Sequence, residues 1–225
     1  MLEEIPNSAT DISGLFHAVL AGDIAAALPE EDREKPSALY EYEELIEMAK
    51  RAGALGRQKK RILAAVGDPL CVTSLNEGIL KRLEQEDNRV TPMPLSEMLL
   101  FLWMDNGTIS ADKLKKWEAE LLDVSGYMGA ASPFAPSLAA LREIADRFLP
   151  AYAGNHGRYR FAKAISMGEM ADAVLLLSPR YENTATVLEL SSLNSRCSAP
   201  LFSISLDGDW DESSESRLRS FLYYC

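Results

Sequence analysis

Cysteine is scarce in this chain: Cys71, Cys197 and Cys225 are the only three in 225 residues. No two of them share a metal-binding spacing, and an odd count argues for reduced thiols rather than a disulfide framework. Histidine is scarcer, with only His17 and His156; His17 falls in a helical pattern and His156 in a Gly-Asn-His-Gly turn, so both read as packing or surface residues. Basic residues are outnumbered, 23 Lys and Arg against 34 Asp and Glu, for a net charge of -11. Without a basic stripe the chain is not expected to bind a nucleic-acid backbone. The one basic cluster, Arg57-Gln-Lys-Lys-Arg61, reads as a solvated helix end complementing the helix dipole.

Long apolar runs are missing too. The most apolar stretch, Met98-Leu-Leu-Phe-Leu-Trp-Met104, falls far short of the ~20 residues that a bilayer-spanning helix needs. Met1-Leu-Glu-Glu-Ile-Pro6 has neither the basic nor the apolar part of a secretory signal, so a cytoplasmic location is expected. A lone Gly67 makes no dinucleotide fingerprint, no P-loop lysine follows it, and neither a zinc-protease helix motif nor a nucleophile elbow occurs.

What is present alternates helices with a few short apolar runs. Asp11 to Ala21 offers an N-cap candidate followed by apolar residues at helical spacing. Ser37 to Ala52 repeats the pattern, with Leu39, Tyr42, Leu45, Ile46 and Ala49 on one face. Residues 1–60 therefore read as a helical lead-in, joined by a charged connector from Pro29 to Pro36. Arg61 to Val66 reads as a buried strand that stops at Gly67-Asp68-Pro69, and Asn76 to Glu86 as a helix. A poorer strand at Arg89-Val90-Thr91 is stopped by Pro92 and Pro94. From Ser96 to about Gly168 the pattern is helical, with starts at Ser96, Ser110, Ser137 and Arg158. Strands resume at Ala173 to Leu177 and Leu201 to Leu206.

This order predicts an α/β domain over 61–225, with a large helical insertion at about 96–168. Its core is a four-stranded parallel, doubly wound, Rossmann-like sheet in the order 2-1-3-4. In such a sheet the ligand crevice opens beyond the carboxyl ends of the first and third strands, where the connections diverge. Two loops converge there: Gly67 to Asn76 and Ser178 to Thr184. The candidate ligand-binding residues are Gly67, Asp68, Cys71, Asn76, Arg180, Glu182, Asn183 and Thr184. Arg180 is the only cation in the two loops and the natural anion anchor, with helix N-terminal amides near Asn76 and Asn183 assisting. Plain helix capping is the competing reading of Ser74, Asn76 and Asn183. Asp207-Gly-Asp-Trp-Asp-Glu212 is a dense acidic loop that lacks calcium-loop spacing and reads as a solvated turn.

Four stretches, in this order, resemble the 2-hydroxyacyl-CoA dehydratase component family and the related domain of its activases. They are Val66-Gly-Asp-Pro-Leu70 with Leu75-Asn76 and Ile79-Leu80; Arg89-Val-Thr-Pro-Met-Pro-Leu-Ser-Glu97; Gly157-Arg-Tyr-Arg-Phe-Ala-Lys-Ala164 with Ala171 to Pro179; and Ser205-Leu-Asp-Gly208 with Arg217 to Leu222. The resemblance runs from Arg61 onward. It implies acyl-CoA binding, an activase or dehydratase-like partner subunit and, in active members, a cysteine-held 4Fe-4S cluster that initiates radical dehydration. Here Glu182 stands at one of the family's cysteine positions, and Leu95 and Ser96 at another. The expectation is a cluster-free dehydratase-like binding or assembly module with no cofactor. The alternatives are a genuine dehydratase subunit drawing ligands from another chain, and a small-anion sensor.

Overall fold

The computed structural model describes residues 9–28, 40–55, 61–68, 83, 88–107, 109–179, 193–206 and 212–224. Four strands are described: β1 (Arg61–Gly67), β2 (Asn88–Pro92), β3 (Ala173–Pro179) and β4 (Leu201–Leu206). All pair in parallel, in the order β2-β1-β3-β4. The doubly wound sheet expected from the sequence is the one that forms.

The two central strands, β1 and β3, are covered on both faces. In β1, Ala64 and Val66 point into one core while Leu63 and Ala65 point into another; in β3, Val174 and Leu176 alternate with Ala173, Leu175 and Leu177 in the same way. Burial on both sides gives continuous apolar runs in place of alternation. Each of these residues is at most 9% exposed.

The larger core lies on the helical side. It is built by α1 (Ala9–Ala26), α2 (Tyr42–Leu55), α3 (Leu95–Asn106), α4 (Ala111–Met128), α5 (Leu138–Phe148) and α6 (Asn155–Gly168). Both helices of the N-terminal lead-in contribute to it, through Phe16, Leu20 and Ile24 of α1 and Leu45, Ala49 and Ala52 of α2. Phe16 stacks on Trp117 of α4 with ring centroids 5.1 Å apart, and Trp117 is 1% exposed. The smaller core, on the other face, is closed by Leu218 and Leu222 of α7 (Glu212–Tyr224).

Two serines that mark helix starts in the sequence cap them: Ser110 accepts from the Lys113 amide and Ser137 from the Ala140 amide. The stretch 96–168 is helical, as expected, and its last helix, α6, packs against β1 and β3. It ends at Gly168, five residues before β3 begins at Ala173. Since α6 feeds β3, its first turns lie near the carboxyl edge of the sheet and its last turn near the amino edge. Among the described residues, no helix is long and apolar enough to cross a membrane.

Candidate functional site

Gly67 is the last residue of β1 and pairs with Leu177 of β3. A Cβ placed there would fall 1.8 Å from the Leu177 carbonyl oxygen. Only glycine lets the two strands stay paired to the edge where their connections part. The next residue continues the pairing, its amide donating to the Leu177 carbonyl at 3.0 Å. This is the topological switch point, at which α/β sheets open a ligand crevice.

The Asp68 side chain turns to α6. One carboxylate oxygen lies 3.0 Å from a guanidinium nitrogen of Arg160, with the arginine side chain 3% exposed and the aspartate 24%. Arg158, two residues before, pairs with Asp146 of α5. A buried cation thus stands at the mouth of the switch point, delivered by α6. Sequence reading did not find it, because Arg160 is distant in the chain and sits in an otherwise ordinary helix pattern. Of the sequence-derived candidates, Gly67 and Asp68 are placed at this edge. Cys71, Asn76, Arg180, Glu182, Asn183 and Thr184 lie outside the described residues.

Beside this edge, beyond β2, is a denser polar cluster. The N-terminus of α3 has Pro94 as its N-cap, which makes no side-chain cap bond. The missing cap comes from α1. Asp23 accepts from the Leu95 amide at 2.8 Å and from the Ser96 amide at 2.7 Å, and the Ser96 hydroxyl lies 2.5 Å from the same carboxylate. Free amides and the helix dipole make a helix N-terminus a natural seat for an anion. Here that anion is internal to the chain.

Glu97, the next residue, is 1% exposed and reaches in three directions. It accepts from the Ala135 amide at 2.6 Å and from the Tyr159 hydroxyl at 2.9 Å, and lies 2.6 Å from the Lys163 ammonium. Lys163 and Glu97 form a close ion pair shut off from water. Tyr159 also donates to the Pro94 carbonyl at 3.0 Å. Burial raises the Tyr159 phenol well above its ordinary range, helped by the Glu97 carboxylate, and pushes the Lys163 ammonium down. Burial likewise raises Asp23 from 3.8 to about 6, against the lowering effect of its bonds to Ser96 and Leu95.

Ser96 and Leu95 are the positions at which the resemblance would place a cluster cysteine. Ser96 is fully buried and its hydroxyl is committed to Asp23. The groups gathered here are two carboxylates, a hydroxyl, a phenol and an ammonium, a donor set that does not suit a thiolate-held iron–sulfur cluster. Cys197, the one cysteine among the described residues, stands at the other edge of the sheet. It precedes β4, and its Sγ lies 3.5 Å from the Ala164 carbonyl near the end of α6. Burial raises its thiol pKa, which disfavours the thiolate that metal ligation and nucleophilic chemistry require. A cleft of about 270 Å3 between α5 and the last turns of α6, lined by Ile144, Arg147, Phe148, Ser166 and Glu169, also contains none of the sequence-derived candidates.

The parallel sheet and its strand order place the chain in the class of doubly wound α/β proteins. No family model, curated protein or solved structure matches it.

Proposed function

We propose that this chain is a dehydratase-like α/β module that works by binding rather than by radical chemistry. It takes an acyl-CoA-type ligand at the carboxyl edge between β1 and β3 and associates with an activase or dehydratase-type subunit. The observation that carries the reading is the pairing of Asp68 with the buried Arg160 beside the pinched Gly67. That arrangement supplies a cation for an anionic group and a carboxylate that limits how much negative charge the crevice accepts. A thioester carbonyl with a remote phosphate suits it better than a bare pyrophosphate. The cluster-free part of the proposal is supported by the oxygen and nitrogen donors around Ser96 and by the placement of Cys197.

Calorimetric titration with a short acyl-CoA ester tests the proposal, comparing wild type with Arg160→Met and Arg180→Ala. Binding by wild type that weakens at least tenfold in Arg160→Met supports the crevice. Equal binding by all three proteins removes both arginines from the site, and no binding by wild type removes the acyl-CoA ligand. Anaerobic reconstitution with iron and sulfide is the companion measurement: a colourless, iron-poor product is expected, and stoichiometric iron with a charge-transfer band restores the dehydratase enzyme.

Arg160 also favours a second reading, a sensor of small anions. Saturable binding of inorganic phosphate or a short carboxylate, with none of the CoA ester, selects it.

A further inference from the structure

The cleft of about 270 Å3 between α5 and the last turns of α6 lies at the far end of α6 from the switch point. Sites for drug-sized ligands occupy about 300–1,000 Å3, so this one suits a small metabolite. Its floor is a single apolar stripe of α5, made by Ala140, Leu141, Ile144 and Phe148.

The polar groups at its rim are not used by the fold. On the same helix Arg142 and Asp146, one turn apart, close an ion pair at 3.7 Å. Glu143 and Arg147 have the same spacing and the more favourable order. Yet among the described residues neither forms an ion pair. Arg147 instead lies over the Phe148 ring, 5.2 Å from its centroid, and Arg196 stands 4.4 Å from that centroid. A guanidinium laid on a ring face keeps its N–H edge for a carboxylate.

The opposite wall is of the other sign. Ser166 is 8% exposed, and the surface left to it lines the cleft. Among the described residues its hydroxyl has no hydrogen-bond partner, a cost for a group so far buried that a guest can relieve. Beyond it α6 ends with no basic residue in its last turn, and Glu169 follows as the C-cap. A helix C-terminus carries the negative end of the dipole. That end and the Glu169 carboxylate together make a seat for a cation, facing the seat for an anion at Arg147.

We propose that this cleft binds a free apolar α-amino acid. The carboxylate rests on Arg147 with Ser166 donating to it, the ammonium on Glu169 and the end of α6, and the side chain on the α5 stripe. A bare anion here meets two carboxylates, Glu143 and Glu169, and a bare cation meets an arginine. A zwitterion satisfies both walls. The site is separate from the acyl-CoA crevice proposed above and does not depend on it.

Calorimetric titration of the full chain with L-leucine, L-methionine and L-phenylalanine tests the site. At least one should bind saturably with a Kd of about 1 mM or tighter. The carboxylic acid lacking its ammonium and the amine lacking its carboxylate should each bind the wild-type chain at least tenfold more weakly. Arg147→Gln and Glu169→Gln should each lose at least tenfold in affinity. Both residues are exposed, so the thermal unfolding of these variants should match wild type. No saturable binding of any of the three amino acids below ~10 mM overturns the proposal. So does equal binding by both variants, or an acid or amine that binds as tightly as the amino acid. No CoA ester enters these titrations, so this proposal and the crevice fail separately.

Discussion

Lys163 Nζ lies 2.6 Å from Glu97 Oε1 with both side chains essentially removed from water, at 0% and 1% exposure. The pair joins α6, which packs on the sheet, to the first turn of α3, which follows β2. Desolvating two charges costs several kcal/mol, and their attraction recovers that only while both remain. Lys163→Met should therefore lose about 3–5 kcal/mol of unfolding free energy in urea, by leaving Glu97 buried and uncompensated. Lys163→Met/Glu97→Gln should be less destabilised than Lys163→Met alone. Strictly additive losses would show that the two side chains do not act as a pair.

Gly67→Ala probes the switch point. A methyl group there meets the Leu177 carbonyl oxygen and backbone carbons, which cannot rotate away. Overpacking of this kind should lower stability by about 2–3 kcal/mol, read as an earlier denaturation midpoint with an unchanged urea slope. A midpoint equal to wild type would mean that β1 and β3 part before Gly67.

Alkaline titration should find tyrosines that resist ionisation. Tyr42 donates to Asp123 at 2.7 Å, and Tyr159 is buried against Glu97; both phenols are held above their ordinary value of 10.0 by burial and a neighbouring carboxylate. A raised folded-state value gives stability that is present below pH ~10 and lost as pH rises further. The absorbance change that reports phenolate formation should thus fall short of all eight tyrosines until the chain unfolds. Phe substitution at Tyr42 and Tyr159 should remove the late phase; an unchanged late phase would contradict the assignment.

Cys197, in a chain with Cys71 and Cys225 replaced by serine, should react slowly with a disulfide reagent at pH 8. Its thiol is partly buried and its ionisation suppressed, so a rate at least tenfold below that of free cysteine is expected, since the thiolate is the nucleophile. Reaction as fast as free cysteine would show an open, activated thiol.

The sheet was legible because its signals are local. Apolar runs such as Ala173 to Leu177 stop at polar loops, and parallel crossovers leave few orders for four strands. The helix starts at Ser110 and Ser137 were legible for the same reason, since each serine accepts from the amide three residues ahead. The polar cluster was not. Glu97, Tyr159 and Lys163 fall in helical patterns where a charged residue ordinarily faces water, and nothing nearby marks them as interior.

The amino-acid sequence by itself determined the parallel sheet and its 2-1-3-4 order, which follow from residue period and chain direction. Only the tertiary structure decided what stands at the carboxyl edge. Asp23 caps a helix that begins 72 residues later, and Arg160 reaches back to Asp68 across 92. Pairings at such separations leave no periodic trace in the chain. They depend on which helix lies over which strand, and that is set by the packing of apolar faces rather than by the polar residues the packing brings together.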